Sequence, residues 1–246
     1  MAIVITGGSK GIGRDVALGF AAPGRTVVIN YLSDHAAAEA TAAELRELGA
    51  APIVVRADAG TVEGCTTIAR AVEDAGERVG MAVHCAVDAY ATPCLTAEPA
   101  RFARAVETNS LSFLYLVQAL DGLLDRGSTL FFFSSRGGRT VIANYAAIGI
   151  GKAATEALIR YLATELAPRG IRINTVAPSI VGTEAVRRIF GDATGAMMDH
   201  ARDDNPSGRA VAPKDYIELI RFLASPAAEF ITGQVIYVNG GANLTA

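Results

Sequence analysis

Residues 6–13 read Thr6-Gly7-Gly8-Ser9-Lys10-Gly11-Ile12-Gly13 and follow an apolar segment, Ala2–Thr6. Glycine in such a turn permits positive φ angles and lets the backbone come close to a bound group. A helical pattern begins at once, over Gly11–Ala21, and the free N–H groups at the start of a helix attract phosphate. This strand–turn–helix arrangement predicts a dinucleotide-binding turn. The residues expected to contact the cofactor here are Gly7, Ser9, Lys10, Gly11, Ile12 and Gly13.

Short apolar segments alternate with longer amphipathic ones along the rest of the chain. Most short segments are continuous runs of Val, Ile and Phe, typical of strands covered on both faces, so the pattern predicts an α/β fold with a parallel sheet and helices on both faces. The predicted strands are Ala2–Thr6, Thr26–Asn30, Pro52–Ala57, Met81–Ala86, Thr129–Ser134, Arg172–Ala177 and Val235–Val238. The predicted helices are Gly11–Ala21, His35–Leu48, Val62–Glu77, Pro99–Leu124, Ala143–Ala167 and Pro213–Ala224.

Local signals mark several helix ends. Asp34 and Thr61 are predicted N-caps, and Gly49 and Gly170 are predicted C-terminal stops. No internal repeat or low-complexity linker divides the sequence, which predicts one domain over residues 1–246. The segment 182–208 breaks the alternation and precedes no strand. Excursions of this length are typical of lids, so it is predicted to be a substrate flap.

Composition narrows the classes of function. The chain has 246 residues, is 51% hydrophobic and carries a net charge of −3, which is typical of a globular protein with a full core. The sequence contains no Lys/Arg-rich run of the kind that binds nucleic acid, so no nucleic-acid partner is expected. The cysteines Cys65, Cys85 and Cys94 form no C-x-x-C pair, so no metal site is predicted. Neither a secretory leader nor an apolar stretch of about 18 residues is found, so we expect a cytoplasmic protein that does not span a membrane.

The end of the second predicted strand bears on the choice of cofactor. NAD-binding proteins usually place an acidic residue there to hold the ribose 2′-hydroxyl. Here the sequence reads Ile29-Asn30-Tyr31-Leu32-Ser33, and the first carboxylate is Asp34. Lys10, in the glycine turn, offers a cation to a 2′-phosphate, so the sequence predicts NADPH (NADP) as cofactor. Asn30, Tyr31 and Ser33 are expected near the adenosine ribose, and Asp58 near the adenine ring.

Further motifs follow at set distances. They are Asn109, Ser134-Ser135, Asn144-Tyr145 with a downstream Lys152, Pro178 to Thr183, and the closing residues Gly233–Gly241. Over essentially the whole chain this spacing resembles the short-chain dehydrogenase/reductase family. The resemblance implies a Rossmann-type, doubly wound sheet of seven strands and a homo-oligomer, a dimer or tetramer. It also implies a catalytic group of Tyr145, Lys152, Ser134, Ser135 and Asn109, and further cofactor contacts at Ala86, Pro178, Ile180 and Thr183.

The tyrosine–lysine spacing departs from most of that family. Most members carry Y-x-x-x-K, but here Gly149 stands four residues after Tyr145, and Lys152 stands seven after it. Seven helical residues turn by about 700°, so the two side chains are expected on one face, about 10 Å apart along the axis instead of about 6 Å. Y-x6-K resembles the enoyl-thioester reductase branch. The stretch from Ser134 to Leu166, together with 205–209, is similar to NADPH-dependent enoyl-acyl-carrier-protein reductases.

Conjugate reduction gives this spacing a physical reason. Hydride goes to the β-carbon, while charge develops on the thioester oxygen two carbons further along, so an acid displaced from the nicotinamide suits the enolate. Tyr145 is expected to donate a hydrogen bond or proton to that oxygen. Lys152 is expected to bind the nicotinamide ribose and to favour ionised tyrosine through its charge.

Three functions remain open at this point. The first is reduction of the C=C bond of an α,β-unsaturated acyl thioester, in fatty-acid or polyketide-type metabolism. The second is ketone or aldehyde reduction of the 3-oxoacyl type. The third is a non-catalytic NADPH-binding regulatory protein, against which the retained tyrosine, lysine and serine argue. A small-molecule or carrier-bound acyl substrate is expected, with an acyl carrier protein as candidate partner. Arg187, Arg188 and Arg202 form a group that its acidic surface would meet.

Further expectations concern Ser135, Asn109 and His84. Enoyl reductases often carry a second tyrosine at the position of Ser135, so the choice between Ser134 and Ser135 is open. Asn109 is expected in the middle of a helix, where it would hold a water or backbone group near Lys152. His84-Cys85-Ala86 stands where the family usually has Asn-Asn-Ala, and His84 is expected to be a structural histidine with its hydrogen bonds satisfied.

Overall fold

The structure is a computed structural model that describes residues 1–242 and 244. Seven parallel strands form one sheet in the order β3-β2-β1-β4-β5-β6-β7. The strands are β1 (Ala2–Thr6), β2 (Thr26–Tyr31), β3 (Ala51–Arg56), β4 (Val79–His84), β5 (Leu124–Phe133), β6 (Arg172–Pro178) and β7 (Val235–Val238). The predicted seven-stranded, doubly wound Rossmann-type sheet is therefore confirmed.

Helices cover both faces of this sheet. They are α1 (Gly11–Gly19), α2 (His35–Glu47), α3 (Val62–Asp74), α4 (Pro99–Asn109), α5 (Leu111–Leu120), α6 (Ala146–Leu166), α7 (Glu184–Phe190), α8 (Thr194–Asp203) and α9 (Pro213–Ala224). Successive strand residues point to opposite faces, so β1 sends Val4 into the core beneath α3, α5 and α6, and Ile3 and Ile5 into the core beneath α1, α2 and α9. Both cores are apolar, which explains the unbroken apolar runs.

One predicted helix is in fact two. The expected Pro99–Leu124 helix breaks at Ser110, whose backbone has φ −131° and ψ −75°. Helix α6 packs against this break, and the Thr155 hydroxyl lies 3.3 Å from the Asn109 carbonyl oxygen and 3.4 Å from that of Ser110. Those carbonyls therefore find a partner outside their own helix. The residues after Leu120 turn once and enter β5, which begins earlier than predicted.

The predicted flap, residues 182–208, contains α7, a short 3-10 turn and α8. It leaves the sheet after β6, so it starts at the same edge as the turn between β1 and α1. Within the part of the chain that the structure describes, no helix is both long enough and apolar enough to cross a membrane.

Candidate active site

The turn after β1 is built so that only glycine fits at its critical points. Gly7 and Gly11 have φ angles of +63° and +52°, a region that other residues rarely adopt. A β-carbon added at Gly13 would lie 2.3 Å from the Gly7 carbonyl oxygen, because α1 starts directly against the turn. A β-carbon at Gly7 would lie 3.0 Å from the Ala86 nitrogen, at the end of β4. This cradle of bare backbone beneath a helix N-terminus fits the phosphates of a dinucleotide.

Asn30 supports the turn from below. It is buried, and its amide nitrogen donates to the carbonyls of Val55 and Ala57 at 3.2 and 2.9 Å. Its side-chain oxygen accepts from the Gly7 N–H at 3.4 Å, and its backbone oxygen accepts from the Gly8 N–H at 2.9 Å. The polar atoms of Asn30 thus bind protein groups and shape the turn, while its expected contact with the ribose stays a prediction.

The remaining residues predicted for the adenosine end lie around that turn with partners of their own. The Tyr31 hydroxyl lies 2.9 Å from His35 Nδ1, while Ser33 is exposed. Asp58 accepts from Arg104 at 2.7 Å and from the Gly60 N–H at 2.9 Å. Ser33 is therefore the exposed member of the group.

Lys10, which the sequence indicated as a cation for the 2′-phosphate, already has partners within the protein. Its ammonium lies 2.5 Å from Asp34 and 2.7 Å from Glu184. These hydrogen bonds raise the pKa of Lys10 and lower the pKa of both carboxyls. Glu184 begins α7, so the ion pair joins the phosphate turn to the flap. The sequence could not show this, because the partners are 174 positions apart.

The two serines at the end of β5 have separate tasks. Ser134 is buried and donates to Glu156 at 2.6 Å. Ser135 Oγ lies 3.2 Å from the Tyr145 hydroxyl. The structure therefore brings Ser135, and not Ser134, to the hydroxyl of the tyrosine. Sequence reasoning missed Glu156, although it stands four residues after Lys152 on α6 and so shares its helix face.

Tyr145 lies just before α6 and not inside it. The expected helix start at Ala143 is wrong, because Asn144 has a φ of +60°, the only positive φ of a non-glycine residue in the described ranges. The Thr92 N–H donates to the Asn144 carbonyl at 2.9 Å and holds this conformation from the loop after β4. Tyr145 is therefore the N-cap of α6, and its carbonyl accepts the first helical hydrogen bond, from the Gly149 N–H at 2.7 Å. The expected separation of about 10 Å between tyrosine and lysine stays a prediction.

The positions that other spacings would use are closed. Ile148, four residues before Lys152, is completely buried, so no acid occupies that point of the helix. A β-carbon added at Gly149, four residues after Tyr145, would lie 2.5 Å from the Gly137 carbonyl oxygen. Tyr145, at the N-cap of α6, is thus the tyrosine of this cleft, and Lys152 is the lysine that accompanies it.

Lys152 is enclosed at the centre of the site. Its ammonium donates to the Phe133 carbonyl at 2.7 Å and lies 4.4 Å from the centre of the Phe132 ring. Burial lowers the pKa of Lys152 to about 8, against an opposing effect of Cys85 and Glu156. Burial raises the pKa of Tyr145, and the hydrogen bond with Ser135 has a smaller, lowering effect. The expectation that Lys152 favours ionised tyrosine is not supported.

Asn109 ends α4 and does not lie in the middle of a helix. Its side chain accepts from the Asp88 N–H at 3.0 Å and donates to the Asp88 carbonyl at 3.0 Å. It therefore holds a backbone group, that of the loop after β4. Arg101 binds the Asp88 carboxylate with both terminal nitrogens at 2.5 Å, a contact that the sequence did not reveal. The same loop contains Thr92, so Asn109 supports the segment that holds Asn144.

His84 is a structural residue, as expected. Its ring lies between the hydroxyls of Thr6 at 2.8 Å and Ser112 at 3.0 Å, and it stacks on Phe132. Burial, assisted by the charge of Lys152, lowers the pKa of His84 to about 3, so the ring is neutral at physiological pH. Burial also raises the pKa of the neighbouring Cys85 thiol.

The last group of predicted cofactor residues follows β6. This strand ends at Pro178, Ile180 lies half-buried beyond it, and the Thr183 hydroxyl caps α7 by accepting from the Val186 N–H at 3.2 Å. A β-carbon added at Gly11 would lie 3.0 Å from Thr183 Cγ2, so this segment lies directly on the phosphate turn. The described residues contain no group of three or more His, Cys, Asp or Glu able to hold a metal ion.

A family model described as enoyl-(acyl carrier protein) reductase matches residues 7–243. The chain belongs to this family, an enoyl reductase-like group of the short-chain dehydrogenases/reductases. It is 32% identical to 1-cyclohexenylcarbonyl-CoA reductase of Streptomyces collinus, over 99% of this chain and 87% of that protein.

Two solved structures of related enzymes have the same fold. A 7α-hydroxysteroid dehydrogenase complexed with NADH and 7-oxo-glycochenodeoxycholic acid has a TM-score of 0.88 at 28% identity, covering 98% of this chain and 93% of that one. A short-chain dehydrogenase from Burkholderia cenocepacia in complex with NADP has a TM-score of 0.88 at 26% identity, covering 99% and 98%. Membership makes this chain an oxidoreductase of a family that binds NAD(P).

Proposed function

We propose that this chain uses NADPH to reduce the C=C bond of an α,β-unsaturated acyl thioester. The observation that carries the proposal is the position of the acid. Tyr145 lies outside α6, and the helical position that would serve Y-x-x-x-K is filled by the buried Ile148. Conjugate reduction needs its acid at the thioester oxygen, two carbons away from the carbon that accepts hydride.

The residues of the site would divide the work as follows. NADPH, when bound, supplies the hydride. The glycine turn and the start of α1 would hold its phosphates, and the Lys152 ammonium would bind the nicotinamide ribose. Burial raises the pKa of Tyr145 further above neutral, so its hydroxyl carries the proton that it can donate to the oxygen on which charge develops. Ser135, 3.2 Å from the Tyr145 hydroxyl, would orient that hydroxyl.

The relative from Streptomyces collinus supports this proposal, since its name describes reduction of an enoyl thioester. Reduction of a ketone or aldehyde is the second candidate. It is favoured by Ser135, a serine where the family's ketone reductases place one, and by the fold shared with a hydroxysteroid dehydrogenase. A non-catalytic role would leave the Tyr145–Ser135 pair and the buried Lys152 without a purpose.

The deciding experiment compares two thioesters. We expect the protein to oxidise NADPH with crotonyl-CoA and to turn over acetoacetyl-CoA at least about a hundredfold more slowly. Turnover of only the keto substrate would refute the enoyl proposal. Tyr145→Phe should lower kcat by roughly 10²–10⁴-fold, the range for loss of a general acid, while NADPH binding stays intact.

The acyl carrier, an acyl carrier protein as docking partner, a homotetramer and a cytoplasmic location stay predictions. Carrier choice is testable by comparing crotonyl-CoA with a crotonyl-acyl carrier protein at equal concentration. Assembly is testable by light scattering of the purified chain.

A further inference from the structure

A cavity of about 350 Å³ lies beside the phosphate turn, between the start of α1, the first turns of α2 and the first turn of α7. Its polar lining comes from three separate segments. The polar lining residues are Ser9, Lys10, Arg14, Thr41, Thr183, Glu184 and Arg187. Three of these seven are cations and one is a carboxylate, so the lining is positively charged although the whole chain carries a net negative charge. Such a concentration of positive charge next to a phosphate turn indicates an anion as occupant.

Two of the three cations are already neutralised by the protein. Lys10 is shared by Asp34 and Glu184, and Arg14 lies 2.5 Å from Glu44. The Arg187 guanidinium has no hydrogen bond or ion pair with any described residue. By contrast, the other flap arginines that the sequence grouped with it are occupied: Arg188 binds Glu184 at 2.6 Å, and Arg202 binds Asp203 at 2.9 Å. Arg187 is therefore the cation that remains available to a ligand.

The position of Arg187 on α7 follows from its neighbours. Its backbone N–H donates to the Thr183 carbonyl at 3.1 Å, so the two residues are one helical turn apart and share a face. Thr183 itself lies on the phosphate turn, with its methyl carbon 3.0 Å from the point where a Gly11 β-carbon would stand. This contact directs the face of α7 that carries Arg187 towards the cavity.

The walls of the cavity indicate which phosphate would enter it. Helix α2 follows β2, and in Rossmann-type folds the end of the second strand meets the adenosine ribose, where NADPH carries its 2′-phosphate. Ala37, Ala40 and Thr41 of α2 line this cavity, whereas the pyrophosphate of a dinucleotide rests on the N-terminus of α1. The cavity is thus on the ribose side of the turn.

We propose that Arg187 binds the 2′-phosphate of NADPH and thereby sets the preference for NADPH over NADH. The inference rests on the NADPH preference included in the proposed function and adds a specificity-determining residue from the flap. Glu184 opposes this role, because its carboxylate competes with the phosphate for Lys10. Binding of NADPH would exchange the Lys10–Glu184 contact for contacts of Lys10 and Arg187 with phosphate, and would bring α7 against the cofactor.

The test measures cofactor binding alone, with no acyl thioester present. NADPH and NADH are titrated into the purified protein, and the nicotinamide fluorescence gives both dissociation constants. Arg187→Ala should raise the Kd for NADPH about tenfold, as expected for one charge-assisted hydrogen bond, and change the Kd for NADH by less than about twofold. Arg187→Lys should recover most of the loss. Arg202→Ala is the matched control, an exposed arginine of the same flap with protein partners, and should change neither constant.

Two outcomes overturn the inference. An unchanged NADPH affinity in Arg187→Ala would show that the flap does not contact the 2′-phosphate. An equal loss of affinity for NADH and NADPH would mean that Arg187 contacts a group that the two cofactors share, and not the 2′-phosphate. Glu184→Gln gives an independent check, since it should tighten NADPH binding several-fold and leave NADH binding unchanged. All of these values are independent of the crotonyl-CoA assay, so the enoyl proposal and this inference can fail separately.

Discussion

Gly137 provides a direct test of the position of Tyr145. It lies in the 3-10 turn after β5, and a β-carbon added there would stand 2.5 Å from Tyr145 Cε1 and 2.6 Å from Cδ1. Non-bonded carbon atoms rest about 3.5–4.0 Å apart, so Gly137→Ala forces the ring to move by about 1 Å. The hydroxyl lies 3.2 Å from Ser135 Oγ, near the upper limit for a hydrogen bond, so a shift of this size disturbs that contact.

We expect Gly137→Ala to lower kcat about a hundredfold, the usual cost of misplacing a catalytic group by about 1 Å. The clash involves a side chain, which can move, so the fold should persist and the Kd for NADPH should stay unchanged. Steady-state oxidation of NADPH with crotonyl-CoA gives kcat, and a thermal melt checks folding. Gly122→Ala is the control, because a β-carbon there meets nothing within 4 Å. A kcat within twofold of wild type for Gly137→Ala would refute the placement of Tyr145 as the acid.

Three further predictions concern the same cleft. Asn144→Ala should lower the unfolding free energy by about 1 kcal/mol and reduce kcat, because alanine disfavours the left-handed backbone. Asn144→Gly should keep the wild-type stability and kcat. Equal losses for the two variants, in a thermal melt and in a turnover assay, would contradict this. The affinity for NADH, which lacks the titrating 2′-phosphate, should be constant between pH 6 and 7 and should fall as pH rises through about 8, where Lys152 loses its proton. Fluorescence titration measures it, and a flat profile would argue against the role of Lys152 at the ribose. Ser135→Ala should reduce kcat at a stability cost of about 1 kcal/mol, the cost of losing its cap on the Gly137 N–H. Ser134→Ala should leave kcat unchanged and cost more stability, since it leaves the buried Glu156 with one partner fewer; the reverse pattern in kcat would exchange their roles.

Much of the fold was accessible from the sequence because its signals are local. The continuous apolar runs predicted the strands, since both faces of a parallel sheet are buried. Asp34 and Thr61 were predicted as N-caps, and both accept a backbone N–H at the start of their helices. Gly49 and Gly170 were predicted as stops, and both adopt positive φ after a helix. Each of these features depends on residues within one or two turns of the chain.

The site was less predictable because it depends on contacts between distant segments. The start of α6 moves from Ala143 to Ala146 because Thr92, far away in sequence, binds the Asn144 carbonyl. Similarly, Lys10 forms an ion pair with Glu184, which lies far away in sequence and comes close only in the folded chain. The pattern identified Tyr145 and Lys152 by type, but their geometry needed the structure.

The burial of Ile148 has a consequence for the evolution of this site. A change of chemistry to that of a Y-x-x-x-K enzyme would require a tyrosine at residue 148, where the isoleucine side chain is completely enclosed. The larger ring would overpack the core, at a typical cost of about 1–3 kcal/mol, before any new activity could be selected. Tyr145 would meanwhile keep its place beside Ser135 and compete for the same substrate oxygen. The two spacings are therefore separated by several coordinated substitutions, so a lineage with this arrangement is not a single mutation away from the other.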